Sequence, residues 1–135
     1  MPHHVTLIPG DGIGPEVAEA TKKVLSATGV SISWDEEHAG LQAVAAGGDA
    51  LPRATVEAVK KNGVALKGPT TTPVGGGHVS ANVRLRRDLD LYASVRPSET
   101  LEGIPTRYEG VNLVIFRENT EGLYAGIENK VSKGV

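Results

Sequence analysis

The residues best suited to chemistry lie between Lys67 and Arg96. This stretch holds three consecutive threonines (Thr70, Thr71, Thr72), three consecutive glycines (Gly75 to Gly77), and Ser80 two positions before Asn82. Four arginines, Arg84, Arg86, Arg87 and Arg96, follow within thirteen positions. A guanidinium is a rigid fork that bonds a carboxylate through two parallel N–H groups, while Ser and Asn add short-range donors. A packing segment has no use for that combination. A site for a small, heavily anionic ligand does.

Spacing sharpens the reading. Asn82 and Arg86 are four apart, so on a helix they share a face. Ser80 stands at the start of that helix, where free N–H groups attract carboxylates and phosphates. Arg96 and Arg117 each close a predicted strand, and ligands in α/β sheets bind at strand ends. Tyr124, seven residues after Arg117, is a proton donor if its pKa is tuned. Each of these residues also has a plainer reading. Ser80 serves as an N-cap, Arg84 and Arg87 are solvated or paired with Asp88 and Asp90, Arg86 is a surface cation and Tyr124 a core-edge aromatic. The glycine run is then a flexible loop. Spacing alone reaches "binds a small polyanion" and stops there.

The elements that must position these groups alternate. His4 to Pro9 reads as a short buried strand, and Gly10-Asp11-Gly12-Ile13-Gly14 as a tight turn. Pro15 opens a helix whose apolar stripe is Val17, Ala20, Val24 and Ala27, with Gly29 as its stop. The turn does not carry the dinucleotide fingerprint G-x-G-x-x-G, because Pro15 occupies the position of the third glycine. It is either a plain strand-to-helix turn or one that touches a ligand through Asp11 or its amides. Val30 to Trp34 is a strand, Leu41 to Ala46 a short helix, and Leu51-Pro52 opens a helix ending at Asn62-Gly63. Val64 to Lys67 is a strand. The β-α-β-α-α-β order predicts an α/β sheet with parallel pairing. Beyond it, a helix runs from Ser80 to about Leu89, with Leu85 and Leu89 on its buried side. Leu91 to Val95 is a strand broken by Arg96-Pro97, and Val111 to Phe116 is a strongly apolar strand. Leu123 to Ile127 is a candidate strand.

Composition bounds the function class. The 135 residues suit one domain, and 17 glycines and 8 prolines concentrate in loops. The formal net charge is -2, yet residues 71–97 carry four basic and two acidic side chains. A local positive patch in a mildly acidic chain fits a small anion better than nucleic acid, and no aromatics interleave with it. The absence of cysteine excludes disulfides, thiolate metal sites and a Cys nucleophile. No run reaches the roughly 18 apolar residues of a membrane span. The N-terminus lacks the regions of a signal peptide, so a cytoplasmic location is the expectation.

Five stretches together resemble the β-decarboxylating dehydrogenases, the family of isocitrate, 3-isopropylmalate and homoisocitrate dehydrogenases. They are L-I-P-G-D-G-I-G-P-E-V, L-K-G-P-T-T-T-P-V-G-G-G, S-A-N-V-R-L-R, D-L-Y-A-S-V-R-P and V-I-F-R-E-N-T-E-G-L-Y-A-G-I-E. They occur in family order and cover nearly the whole chain. The resemblance implies an α/β fold of the isocitrate/isopropylmalate dehydrogenase type, incomplete in this chain, with residues 1–135 forming its N-terminal part. It implies substrate contacts from Ser80, Asn82, Arg86, Arg96 and Arg117. It further implies proton transfer assisted by Tyr124, Thr71 and Thr72 near the nicotinamide, and Lys67 as a cleft lysine. The S-x-N pair is similar to the isocitrate pattern, since the isopropylmalate enzymes place apolar side chains there. The implied reaction is oxidation and decarboxylation of isocitrate to 2-oxoglutarate. The implied cofactors are NAD or NADP, with NAD preferred because the match starts almost at Met1, and Mg2+ or Mn2+ with ligands outside this chain. Family members are more than twice as long, so the chain alone is expected to be inactive, and the full form at least a homodimer. The alternatives are the two sibling substrates, or a non-catalytic tricarboxylate-binding or regulatory subunit.

Overall fold

The first strand, β1 (His3–Ile8), lies in the middle of a sheet, with Val5 to Ile8 buried. A strand covered on both faces has no solvent side for polar residues. Around it, in a computed structural model that describes residues 1–71, 80–122, 125 and 131–132, the chain forms two units, Met1–Leu89 and Asp90–Val135.

In the first unit β1 is followed by α1 (Gly14–Ala27), β2 (Ile32–Glu36), α2 (Leu41–Ala45), α3 (Arg53–Asn62), β3 (Ala65–Lys67) and α4 (Ala81–Asp88). The sheet order is β2-β1-β3, and both pairings are parallel. The α/β class and the β-α-β-α-α-β order expected from the sequence are both present. Gly63 ends α3 in the left-handed conformation, at φ 70°, and its N–H closes on Val59 O at 2.9 Å. Asn62, the last residue of α3, donates its Nδ2 to Thr6 Oγ1 of β1 and Asp35 Oδ2 of β2, both at 2.9 Å. One amide thus ties a helix end to two strands.

The core joins Ile8 of β1, Ala39, Leu51, Val56 and Val59 of α3, and Ala81 and Leu85 of α4. Ala81 and Leu85 are four apart, and Leu89 packs beside them, so the stripe expected on α4 is the buried one. For α1 the periodicity is right and the face is not. Val17 and Val24 are exposed, Val24 by 67%, and the buried positions are Gly14 and Ala18. The entry turn sets the helix rotation. Gly14 lies against the Pro9 carbonyl so closely that a Cβ would overlap it, and the small residues therefore face inward.

The second unit contains β4 (Ala93–Glu99) and β5 (Asn112–Glu118), an antiparallel pair that the parallel expectation did not include. Pro97 lies inside β4 instead of ending it. Asn119 N–H bonds Tyr92 O and Thr100 N–H bonds Val111 O. Those two pairs fix the alternation of the ladder, which puts the Pro97–Val114 pair at a non-hydrogen-bonded site. The missing N–H would have pointed away from β5, so the ladder loses nothing. Among the described residues no helix is long and apolar enough to cross a membrane.

Candidate functional site

The carboxyl ends of the parallel strands β1 and β3 run on side by side past their last ladder residues. Gly68 N–H bonds Ile8 O at 2.8 Å, and Asp11 N–H bonds Pro69 O at 2.7 Å. Two backbones come this close only because Gly68 has no side chain, since a Cβ there would overlap the Pro9 carbonyl oxygen. The glycine-rich turn after β1 therefore lies directly against Pro69 to Thr71.

Asp11 locks that junction. It is 5% exposed. Its Oδ2 accepts the N–H of Leu41 at 3.0 Å and of Thr71 at 2.7 Å, and its Oδ1 accepts the N–H of Gln42 at 3.0 Å. Asp11 thus caps α2 from thirty residues away. The helix's own N-cap, Gly40, offers no side chain and leaves room for the carboxylate. Burial pushes the carboxyl pKa up, but the three N–H bonds and the Lys67 charge outweigh it, so the group lies below its ordinary value. The Asp11 carboxylate thus has a backbone role, with three of its acceptor sites taken by N–H groups, beyond the plain turn that the sequence suggests.

Facing this junction in sequence, α4 carries three of the predicted site residues. Ser80 occupies the N-cap position, but its side chain makes no capping bond, and only its carbonyl is used, by Arg84 N–H at 3.0 Å. The plain capping reading of its hydroxyl is therefore not realised. Asn82, in the first turn, accepts the Thr70 hydroxyl on Oδ1 at 2.9 Å. Arg86, one turn further on, is close enough to Lys67 to act on it. Burial lowers the Lys67 pKa most, the Arg86 charge lowers it further, and Asp11 opposes both. Lys67 Nζ also donates to Gly68 O. Neither Lys67 nor Arg86 forms an ion pair among the described residues. Arg84, by contrast, pairs with Asp49, not with the Asp88 or Asp90 expected from its neighbours in sequence.

Arg96 and Arg117 belong to the second unit. Arg96 lies within β4 and Arg117 one residue before the end of β5, each further inside its strand than expected. Ser94 is opposite Arg117, and Arg96 is two residues after Ser94, so both arginines stand on one face of the ribbon as diagonal neighbours. Arg96 Nε donates to Ser94 Oγ at 3.3 Å. Just after β5, Glu118 Oε1 accepts Thr120 Oγ1 at 3.0 Å and the N–H groups of Thr120 and Glu121, which closes the turn that follows Arg117. Those bonds, with the Thr120 N–H first, hold the Glu118 pKa below its ordinary value.

Thr72, Tyr124, the glycine run and the candidate strand from Leu123 to Ile127 lie outside the described residues or rest on residues that do. Thr71 is described, at the end of the β3 segment, with its N–H held by Asp11 and its side chain exposed. Lys67 and Arg86 are not metal ligands, and the Asp11 carboxylate already accepts three backbone N–H groups, so a divalent cation would need its ligands from other residues. Among the described residues no group of three His, Cys, Asp or Glu could hold one. Sequence reasoning singled out Asp11 only as a candidate ligand contact and not as the backbone lock it is, and it saw Thr70 only as one of three threonines.

Fold and site together define an α/β protein with a strand-end site built from amide, hydroxyl and cationic groups. The chain belongs to the isocitrate/isopropylmalate dehydrogenase family, whose match spans residues 4–135. It is 49% identical over 134 residues to the mitochondrial isocitrate dehydrogenase [NAD] catalytic subunit 5 of Arabidopsis thaliana, covering 99% of this chain and 36% of that protein. It is 48% identical over 130 residues to the chloroplastic 3-isopropylmalate dehydrogenase of Solanum tuberosum, covering 96% of this chain and 36% of the relative. Among solved structures, the isocitrate dehydrogenase of Methylococcus capsulatus superposes with a TM-score of 0.88 at 54% identity, over 97% of this chain and 39% of that one. The chain thus spans little more than a third of the length of the proteins it matches. The cytoplasmic expectation is overturned. The Arabidopsis relative and several others are named as mitochondrial proteins, among them a regulatory subunit of Dictyostelium discoideum at 47% identity. That expectation rested on the N-terminus lacking the regions of a secretory signal peptide, and a mitochondrial targeting segment is a different signal with a different composition.

Proposed function

We propose that the protein carrying this chain oxidatively decarboxylates isocitrate to 2-oxoglutarate with NAD as hydride acceptor, and that residues 1–135 are the N-terminal part of its catalytic domain. The observation that carries this reading is that Asn82 and Arg86 stand one turn apart on α4, with Asn82 bonded to Thr70 and Lys67 within reach of the Arg86 charge, and that neither cation has an ion-pair partner among the described residues. A ligand with several carboxylates neutralises both cations and satisfies the amide donors. Ser80 adds a hydroxyl at the same helix end, and the Arg96–Arg117 pair supplies further carboxylate contacts. Thr71 and Thr72 meet the nicotinamide end of the cofactor, and Tyr124 moves a proton after CO2 leaves. NAD supplies the hydride acceptor and Mg2+ or Mn2+ the Lewis acid, the metal held by residues outside this chain.

NAD is preferred to NADP because the catalytic relatives carry it in their names. Their description as subunits supports an assembly of two or more chains. A mitochondrial setting accords with the same names.

The test is reduction of NAD and of NADP by the protein as it occurs in its source cells, with isocitrate, 3-isopropylmalate and homoisocitrate as substrates and Mg2+ present or chelated. Metal-dependent turnover of isocitrate with release of CO2 is expected. Turnover of 3-isopropylmalate alone would assign the sibling reaction. Tight isocitrate binding without turnover favours a regulatory subunit, a reading supported by the Dictyostelium relative. The 135 residues by themselves are expected to give no turnover.

A further inference from the structure

We infer that Thr70 is a positioning residue for Asn82, fixing its carboxamide so that the NH2 edge is left for a ligand carboxylate. The inference rests on the reading of Asn82 as a substrate contact. A carboxamide has one acceptor end and one donor end, and an unrestrained asparagine offers either by turning about its last torsion. Here the choice is made in advance. The Thr70 hydroxyl donates to Oδ1 at 2.9 Å. Turning the amide over would make the hydroxyl accept from Nδ2 and leave its own proton without the Asn82 acceptor, the one that Thr70 Oγ1 has among the described residues. Among the described residues none accepts a hydrogen bond from Nδ2, and we assign that edge to the ligand.

Both partners are immobilised. On the Thr70 side, the preceding carbonyl of Pro69 accepts Asp11 N–H at 2.7 Å, and the following N–H of Thr71 is held by the Asp11 carboxylate at 2.7 Å. On the Asn82 side, the neighbouring Ala81 and Leu85 are buried in the core, 5% and 8% exposed, so α4 cannot roll. The Asp11 carboxylate therefore sets where the Thr70 hydroxyl stands, and the hydroxyl sets which way the amide turns. A pair of N–H donors rewards a carboxylate and leaves an alkyl group with two desolvated, unmade bonds. This is a larger basis for discrimination than a change in pocket size. Thr70 is thus a determinant of preference for a third carboxylate over an alkyl substituent, without touching the ligand itself.

The test compares Thr70→Val, which keeps the shape and removes the hydroxyl, with Thr70→Ser, which keeps the hydroxyl. Both are made in the protein as it occurs in its source cells. Steady-state constants for isocitrate and 3-isopropylmalate are read beside the Asn82 side-chain amide signals in isotope-labelled protein. For Thr70→Val, KM for isocitrate is expected to rise roughly three- to tenfold, the range of one lost side-chain hydrogen bond. The change in kcat is smaller, the preference over 3-isopropylmalate narrows, and the amide signals shift. Thr70→Ser is expected to restore all of these. Unchanged KM, preference and amide signals in Thr70→Val would overturn the inference. If the unaltered protein does not prefer isocitrate, the functional reading falls. The amide signals then decide whether Thr70 still orients Asn82. Should Thr70→Val fail to fold, Thr70→Ala is read by the same measurements, with thermal unfolding monitored alongside.

Discussion

The Asp11 carboxylate accepts the backbone N–H of Thr71 at 2.7 Å, sixty residues further along the chain. This bond holds the turn after β1 against the segment after β3. With the Leu41 and Gln42 bonds it fastens three separate backbone segments to one buried side chain. Each of those N–H groups would otherwise be an orphan donor at the start of a helix or past the end of a strand.

Replacing Asp11 should therefore cost more than a typical polar substitution. Asp11→Asn keeps one acceptor and loses the charge, and is expected to destabilise by about 1–3 kcal/mol. Asp11→Ala leaves three N–H groups without their acceptor and should cost about 3 kcal/mol or more. Denaturant unfolding of the two variants checks the order. Equal stability of Asp11→Ala and the parent would remove Asp11 from its structural role.

Acid sensitivity follows from the same group. The Asp11 pKa is lowered in the folded state. Its contribution is then fully present above the unfolded-state value and is lost as pH falls through the folded one. Stability should fall steeply below about pH 4, the ordinary aspartate range. The slope in that window should be shallower in Asp11→Asn. Parallel acid-unfolding curves for the two proteins would contradict the assignment.

Lys67 should titrate below the ordinary lysine value, because burial and the Arg86 charge both disfavour its ammonium form. The pH dependence of acylation at Lys67, followed by peptide mass analysis, should have its midpoint below 10.5. Removing the neighbouring charge in Arg86→Gln should move that midpoint upward. A bound polycarboxylate should raise it too and protect the amine. No movement in either case would separate Lys67 from the proposed anion site.

Gly68→Ala tests the close approach of the two strand ends. Its Cβ would overlap the Pro9 carbonyl oxygen, and both partners are backbone. The strands must part, with a cost of about 1–3 kcal/mol for overpacking and a weakened Gly68–Ile8 hydrogen bond. Gly29→Ala serves as the contrast, because a Cβ there meets no atom and only the positive φ is strained. Gly68→Ala should show the larger fall in Tm and should also loosen Thr71. Equal falls would mean that the strand ends yield freely.

The β4–β5 ribbon should exchange its amides quickly in the 135-residue chain. Every residue of β5 is exposed, Phe116 by 70%, and a two-stranded ribbon alone is marginal in water. Hydrogen exchange should give β1 amides protection and β5 amides little. Equal protection would show that the ribbon's apolar side chains are covered in solution.

Much of the fold was legible in contiguous residues. β1 as a buried strand, Pro15 opening α1, Gly63 ending α3 and the Ala81–Leu85 stripe of α4 all follow from local sterics and periodicity, which neighbouring residues alone encode. The cationic and amide groups of α4 were legible in the same way, because four-residue spacing on a helix is itself a geometry. Other features depend on residues distant in sequence. These are the antiparallel pairing that carries Pro97 through β4, the face of α1 that turns inward, the Arg84–Asp49 pair, and the chain of bonds from Asp11 through Thr71 and Thr70 to Asn82. A strand's pattern does not name its partner, and a helix's stripe does not say which of two adjacent faces the entry turn will present. The sequence by itself determined most of the described elements and the residue types that a site could use. The tertiary structure decided which groups meet, because hydrogen bonds and close packing are set by distance in space, and a bond across sixty residues leaves no periodic trace in the chain.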